Sequence, residues 1–106
     1  EPRIVTMQEV PALETAPGLR LRPVFGPQLT FTVVEMDPDA GLPAHAHPHE
    51  QFTYVQEGDL VATANGVDHH LSPGQGIHIP GGIEHAAKAG PHGCVVLEAF
   101  APTRDD

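Results

Sequence analysis

Four side chains with nitrogen or oxygen donors are spaced so that they could meet at one point. His45 and His47 are two residues apart, Gln51 follows four residues after His47, and His85 comes 34 residues later. In an extended segment, side chains two residues apart project to the same side. Neutral imidazole suits Mn, Fe, Ni and Zn, and an amide oxygen adds a neutral donor. We therefore predict one divalent transition metal per chain (Mn, Fe, Ni or Zn), held by these four residues.

The fourth ligand has an alternative, because Glu50 directly precedes Gln51. Alternation along a strand places Glu50 on the opposite face, so we prefer the Gln51 amide. Three imidazoles and one amide carry no charge, and the metal would keep its full positive charge toward an anionic substrate. Four protein ligands leave a position open on a metal of higher coordination, as in catalytic sites.

The length and composition predict one small all-β domain. A chain of 106 residues has room for a single core, and its 11 Gly and 12 Pro divide it into short segments. Short strands with Gly/Pro turns are typical of sandwiches and barrels, and we predict a small β-barrel or double-stranded jelly roll of antiparallel strands. The only cysteine, Cys94, lies among apolar residues and is predicted to be buried in a strand.

Alternation and turn signals predict eight strands, at residues 19–24, 29–36, 51–56, 59–64, 69–71, 76–79, 84–88 and 93–101. Turns are predicted at residues 57–59 and at residues 90–91, where glycine and proline interrupt the pattern. Residues 1–17 contain three prolines and are predicted to form an amino-terminal arm that pairs with a sheet edge, in this chain or in a partner subunit. Residues 18–106 then form the single domain.

The same alternation predicts which side chains face inward. Gln51 shares one face with Thr53 and Val55, whereas Phe52 and Tyr54 point the other way. These two apolar outward side chains require a cover, and we predict a homodimer in which the arm reaches the partner. In the last strand, Glu98 shares a face with Cys94, Val96 and Phe100 and is predicted to enter a pocket.

Charge limits the classes of partner. The net charge is −9, with 14 acidic against 5 basic residues and no Lys/Arg cluster, which argues against nucleic acid. No apolar run reaches membrane length, so we expect no membrane partner and a cytoplasmic protein. The expected partner is a small anionic molecule attracted by the metal. Arg20 and Arg22, which share a face, and His78, between two isoleucines, are further candidates for substrate binding.

Two motifs resemble those of the cupin superfamily, in its single-domain form, and the resemblance covers nearly the whole chain. The first cupin motif, Gly-x5-His-x-His-x3-4-Glu-x6-Gly, corresponds to residues 39–58. The second, Gly-x5-Pro-x-Gly-x2-His-x3-Asn, corresponds to residues 74–89. Gly41 is predicted to serve the turn for which the first motif has its leading glycine. Three residues replace the usual Gly, Glu and Asn of the motifs: Asp39, Gln51 and Ala89.

Within the cupins, residues 45–51 and the carboxyl-terminal run 100–106 are most similar to the KdgF group of pectin and alginate degradation proteins. That resemblance implies conversion of 4,5-unsaturated monouronates into linear ketonized uronates, by a Lewis-acid metal and a carboxyl acid/base. It implies that Glu98, Phe100 and Arg104 are the catalytic residues. Glu98 stands where the group has Asp, and the extra methylene alters the reach of the carboxyl.

Two other functional classes remain open at this point. Many cupins are metal-dependent dioxygenases that act on small organic substrates with iron or manganese, although their usual fourth ligand is Glu rather than the Gln51 found here. Others bind small molecules without catalysis. An inward carboxyl at Glu98 beside intact metal ligands favours catalysis.

Overall fold

The computed structural model describes residues 1–104, so Asp105 and Asp106, the end of the carboxyl-terminal run, lie outside the described residues. Antiparallel strands dominate this part of the chain, and one short 3-10 turn, Met7–Glu9, precedes them. The strands are β1 (Leu13–Ala16), β2 (Leu19–Phe25), β3 (Thr30–Met36), β4 (Gly41–His45), β5 (Glu50–Ala64), β6 (Val67–Leu71), β7 (Gly76–Ile79) and β8 (His85–Ala101). The predicted all-β class is confirmed.

The long strands β5 and β8 connect the two halves of the molecule. Residues 50–58 of β5 pair with residues 94–101 of β8, and residues 60–64 pair with residues 85–89. Strands β1, β2, β3 and β7 extend the first half, whereas β4 and β6 extend the second. This arrangement is a double-sheet jelly roll in which β5 and β8 contribute to both layers.

Strands β5 and β8 have bulges in the regions where the sequence predicted turns. The turns predicted at residues 57–59 and 90–91 are wrong, because β5 and β8 run through both segments with shifted register. Gly58 has φ +75° and Gly93 has φ +76°, so each strand bends instead of reversing. An added Cβ on Gly58 would lie 2.1 Å from the carbonyl oxygen of Gly93, so the two bulges fit closely together.

Gly58→Ala is expected to lower the free energy of unfolding by roughly 2–4 kcal/mol, because it combines left-handed strain with a backbone clash. Gly66→Ala is the matched control, since Gly66 has φ +77° but no atom within 4 Å of the added Cβ. It should cost only about 1–2 kcal/mol. Urea denaturation measures both values, and equal losses would show that the contact between the bulges does not matter.

Strands β1 and β4 were not predicted from the sequence. Strand β1 lies inside the predicted arm and pairs with β2 of the same chain, with Leu13 opposite Leu21. Strand β4 pairs with β8 and ends at His45. Asp39, which replaces the motif glycine, itself adopts φ +61°, whereas Gly41 begins β4 and has no positive φ. The prediction that Gly41 serves this turn is therefore wrong.

The core is aliphatic and lies between the two layers. Its buried side chains include Leu19, Val34, Met36, Val55, Leu60, Leu71, Cys94 and Val96. Burial raises the pKa of Cys94 to about 11, so its thiol remains protonated and contributes packing. Among residues 1–104, no helix is long and apolar enough to cross a membrane.

Candidate metal centre and adjoining cavity

The three predicted histidine ligands come together at the junction of β4 and β8. His45 ends β4 and is the antiparallel partner of His85, which begins β8, while His47 follows two residues after β4. One ring nitrogen from each histidine lies within 4.8 Å of the others. His47 and His85 are buried, and His45 is half-buried. This arrangement provides three convergent nitrogen donors.

Backbone hydrogen bonds select the same tautomer in all three rings. In each ring, Nδ1 donates to the carbonyl oxygen of a residue two positions away in the sequence. His45 donates to Pro43 at 3.0 Å, His47 donates to His49 at 3.1 Å, and His85 donates to Ile83 at 2.8 Å. A neutral ring with its proton on Nδ1 has a lone pair on Nε2. The backbone therefore prepares three Nε2 atoms as ligands, as is usual around metal-bound histidines.

Two features show that this donor set fits a metal ion. The Nε2 atom of His85 is buried and has no hydrogen-bond partner among the described residues. The Nε2 atom of His47 lies 3.1 Å from Oε1 of Gln51, and in the selected tautomer both atoms are acceptors. Acceptors that are buried and face one another are costly unless a cation accepts their lone pairs.

Burial favours the neutral form of His47 and His85. Desolvation lowers the pKa of His47, and the charges of Arg104 and His85 lower it further. Desolvation also lowers the pKa of His85, and its hydrogen bond to the carbonyl of Ile83 opposes the shift only in part. Both imidazoles are therefore in the neutral form that a metal requires.

The pH dependence of metal binding follows from these shifts. Protons compete with the metal for the imidazoles, so affinity falls where His47 and His85 become protonated. Because both pKa values lie below 6.5, affinity for Zn²⁺ should stay constant from about pH 8 to pH 7 and fall below that range. In the metal-free protein, the unfolded chain binds more protons between the lowered pKa values and 6.5, so stability also falls as the pH drops through this window.

Calorimetric titration at a series of pH values measures the affinity, and chemical denaturation of the chelator-treated protein measures the stability. A decline in Zn²⁺ affinity that begins between about pH 8 and pH 7 would contradict the lowered pKa values.

The Gln51 amide connects the histidine cluster to a carboxyl group. Its Nε2 donates to Oγ1 of Thr53 at 2.8 Å and to Oε2 of Glu98 at 3.0 Å, and Thr53 Oγ1 donates to the same Glu98 oxygen at 2.8 Å. Gln51 is buried, whereas Glu50 is exposed, so the structure places the preferred amide, not the alternative carboxylate, at the cluster.

The environment of Glu98 favours its protonated form. Desolvation raises the pKa of this carboxyl, while the hydrogen bonds from Thr53 and Gln51 and the charge of Arg104 oppose the shift. The carboxyl therefore holds a proton at higher pH than an exposed glutamate does. Such a group can both give and take a proton nearer to neutral pH.

Phe100 and Arg104 lie beside the same centre. The Phe100 ring packs edge-on against His47, with ring centroids 5.8 Å apart, and the guanidinium carbon of Arg104 lies 5.3 Å from the Phe100 centroid. The tail is anchored to β3, because the backbone N–H of Arg104 donates to Oγ1 of Thr30 at 2.8 Å. The cation is thereby held over the aromatic ring.

These groups open into one cavity of about 530 Å³ inside the barrel. Most of its wall is aliphatic, from strands that include β2, β3 and β5. Six of the residues predicted or found at the centre line it: His45, Gln51, Thr53, Glu98, Phe100 and Arg104. A small molecule in this cavity would meet two of the proposed metal ligands, His45 and Gln51, together with the Glu98 carboxyl group and the Arg104 guanidinium.

The structure does not bring Arg20 and Arg22 to the cavity. Leu19 and Leu21 line it, and the arginines, which alternate with these leucines along β2, point to the other face. There Arg20 forms an ion pair with Asp37 at 3.0 Å, and Arg22 forms one with Glu35. The predicted contact of both arginines with substrate finds no support in this placement.

His78 also lies away from the cavity. It is the antiparallel partner of Phe52 on the outer face, and its Nε2 lies 2.6 Å from a carboxylate oxygen of Glu50. The flanking Ile77 and Ile79 line the cavity instead. Alternation predicted that His78 points away from Ile77 and Ile79, but it did not indicate which of the two faces of the strand is inward.

Sequence reasoning assigned no role to Thr53 or Thr30. Alternation predicts that Thr53 lies on the same face of the strand as Gln51, and this is the sequence feature from which its position near the site could have been inferred. Nothing in the sequence indicated that the Thr30 hydroxyl would hold the backbone of Arg104, since 74 residues separate them.

Fold and site together define a small double-sheet barrel protein with a candidate three-histidine metal centre. The family described as Cupin domain matches residues 32–99. The chain belongs to the cupin domain family.

Several known proteins are similar to this chain. KdgF from Halomonas sp. has 28% sequence identity and a TM-score of 0.92, with 100% of this chain and 98% of that chain covered. An RmlC-like cupin from Shewanella frigidimarina NCIMB 400 has 26% identity and a TM-score of 0.91, with coverage of 100% and 96%. Dimethylsulfoniopropionate lyase DddW from Ruegeria pomeroyi is 35% identical over 73 residues, or 69% of this chain. The chain spans 48% of the length of DddW.

Proposed function

We propose that this protein is a metal-dependent enzyme that converts 4,5-unsaturated monouronates into linear ketonized uronates, as its resemblance to the KdgF group implies. The observation that carries the proposal is the Gln51 amide, which connects His47 to the partly buried carboxyl of Glu98 and lines one cavity together with that carboxyl. Similarity to Halomonas KdgF across almost the full length of both chains supports it.

The reaction is an isomerisation that needs acid/base groups and no oxidant. The bond between the anomeric carbon and the ring oxygen breaks, the anomeric hydroxyl loses its proton and the ring oxygen gains one, so that an aldehyde and an enol remain. The enol becomes a ketone when C4 gains a proton and the enol hydroxyl loses one. Glu98, whose pKa is raised by burial, is the group that delivers and accepts these protons.

The remaining residues hold the substrate and the metal. A divalent ion bound by His45, His47, His85 and Gln51 would supply positive charge to the carboxylate and oxygens of the substrate. Arg104 offers a planar guanidinium that suits bidentate contact with a carboxylate. Phe100, packed on His47 and beneath Arg104, provides an apolar wall against one face of the sugar.

The experiment is a spectrophotometric assay of metal-loaded protein with unsaturated monouronates made by a polyuronate lyase. The proposal expects loss of absorbance from the ring double bond and formation of a linear keto product. Absence of that loss, with metal content verified in the same sample, would refute it. Oxygen consumption with phenolic or diketone substrates would favour a dioxygenase, and ligand binding without turnover would favour a binding protein.

A second candidate reaction is supported by the 35% identity with dimethylsulfoniopropionate lyase over 73 residues. That substrate also has a carboxylate, which the metal and Arg104 could bind. In an elimination, Glu98 would act as a base that removes a proton from the carbon beside the carboxylate, a carbon–carbon double bond would form, and dimethyl sulfide would leave with the electrons of the broken C–S bond. Dimethylsulfoniopropionate should therefore be tested with the same metal-loaded protein, with its consumption measured separately because it lacks the ring double bond. Its consumption, with the uronates left unchanged, would replace the uronate proposal.

We also propose that the protein forms a homodimer through the outer face of the half that contains β1, β2, β3 and β7. Phe52 is 47% exposed and Tyr54 is 38% exposed on that face, and Leu97 and Ala99 are their neighbours on β8. A second copy would cover this apolar surface. Light scattering that gave the mass of one chain would rule out the dimer.

A further inference from the structure

We propose that Thr53 is a positioning residue of the metal centre, which acts with Glu98 to turn the oxygen of the Gln51 amide toward the three histidines. The inference rests on metal binding by the proposed site and is independent of the uronate reaction. It concerns a side chain at position 53, for which neither cupin motif specifies a residue type.

The orientation of the amide is determined by its hydrogen bonds on the side away from the histidines. Gln51 Nε2 carries only N–H donors, and both of its contacts, Thr53 at 2.8 Å and Glu98 at 3.0 Å, are oxygen atoms on that side. The amide oxygen then faces Nε2 of His47 at 3.1 Å. A reversed amide would place its oxygen against the acceptor oxygen of Glu98 and its N–H groups toward the metal, where they cannot act as ligands.

The Thr53 hydroxyl closes this set of hydrogen bonds. Its oxygen accepts from Gln51, and its proton goes to Glu98 Oε2 at 2.8 Å, so one hydroxyl has a defined orientation between two partners. Thr53 is 3% exposed and Gln51 is 6% exposed. Water therefore has little access to replace a lost hydrogen bond, and removal of the hydroxyl leaves buried polar atoms unsatisfied.

The same geometry makes Gln51 and Glu98 a matched pair. The usual cupin glutamate at position 51 would place a carboxylate where the Gln51 N–H groups now meet Glu98, and two acceptor oxygens would be in contact. With an amide at position 51 and a carboxyl at position 98, the N–H donor of one group meets an acceptor oxygen of the other. The departure of this chain from the motif at position 51 is therefore connected to the acidic residue at position 98.

The test measures the affinity of chelator-treated protein for Zn²⁺ and, separately, Mn²⁺ by calorimetry. Thr53→Val removes the hydroxyl at nearly constant volume and should weaken binding by about 10- to 100-fold, the usual effect of losing a partner of a metal ligand. Thr53→Ser restores the hydroxyl and should stay within about threefold of the wild type. His47→Ala defines the background from surface histidines.

Thr32→Val is a matched control for the same substitution. Thr32 is the neighbour of Glu98 on β3, as Thr53 is on β5, and both threonines are buried. The Thr32 hydroxyl has no hydrogen-bond partner in residues 1–104. Its replacement should leave metal affinity within about threefold of the wild type, because no partner of a ligand is lost.

Wild-type affinity in Thr53→Val would overturn the proposal, and so would equal losses of affinity in Thr53→Val and Thr53→Ser.

If Thr53→Val does not fold, a comparison of variants at positions 51 and 98 tests the proposal instead. Gln51→Glu places two acceptors together, and adding Glu98→Gln returns a donor to the pair. The double variant should bind metal at least about tenfold more tightly than Gln51→Glu alone, and purely additive effects would overturn the matched pairing.

Discussion

His47→Ala is expected to abolish turnover of the proposed uronate substrate and to weaken Zn²⁺ binding by at least about 100-fold. The reason is that His47 provides one of three convergent Nε2 donors and is the histidine in direct contact with Gln51. Loss of an outer partner alone costs metal sites about 10- to 100-fold, and loss of a ligand costs more.

Metal titration and the uronate assay should be run on the same preparation of this variant. His92→Ala is the matched control, since His92 is exposed and outside the histidine cluster. It should retain both properties. Undiminished Zn²⁺ affinity in His47→Ala would mean that the three-histidine cluster is not the metal centre, and a thermal melt of the metal-free variant would exclude unfolding as the cause of a loss.

Glu98→Gln is expected to reduce the uronate reaction by about 10²- to 10⁴-fold, the usual contribution of a general acid or base. The substituted amide keeps an oxygen that can accept from Gln51 and Thr53, so metal affinity should fall by less than about tenfold. The variant thus separates proton transfer from metal binding, which His47→Ala does not.

The rate constant for loss of the ring double bond, measured with a saturating metal concentration, checks this expectation. Glu57→Gln provides the same chemical change at an exposed position of β5 and should leave the rate unchanged. A Glu98→Gln enzyme as fast as the wild type would remove Glu98 from the mechanism. A loss of metal binding equal to that in His47→Ala would instead assign Glu98 a role in holding the metal.

The residues on the inward face of β5 could be predicted from the sequence. Alternation correctly grouped Gln51, Thr53 and Val55, because a strand directs every second side chain to the same side regardless of its partners. The same rule grouped Arg20 with Arg22 but could not say that their face was outward. That choice depends on Leu19 and Leu21, which contact the interior only after β2 pairs with β3.

The bulges at Gly58 and Gly93 could not be predicted from the sequence, for a different reason. Glycine with positive φ suits a tight turn and a bulge equally well, so Gly58 and Gly93 were consistent with either. Pairing between β5 and β8 decides the outcome, since each strand continues along the other on both sides of its bulge. Local signals cannot report a strand partner such as Cys94, which pairs with Gly58 from 36 residues away.

By itself, the sequence determined the types of ligand, their relative spacing and the all-β class, because motif spacing and alternation are properties of neighbouring residues. Only the tertiary structure decided what surrounds the ligands. The contact between Gln51 and Glu98 joins residues 47 positions apart, and it exists because the register of β5 on β8 places Thr53 opposite Glu98. Register is set by how two whole strands bury their apolar faces, so it becomes fixed only when the barrel closes.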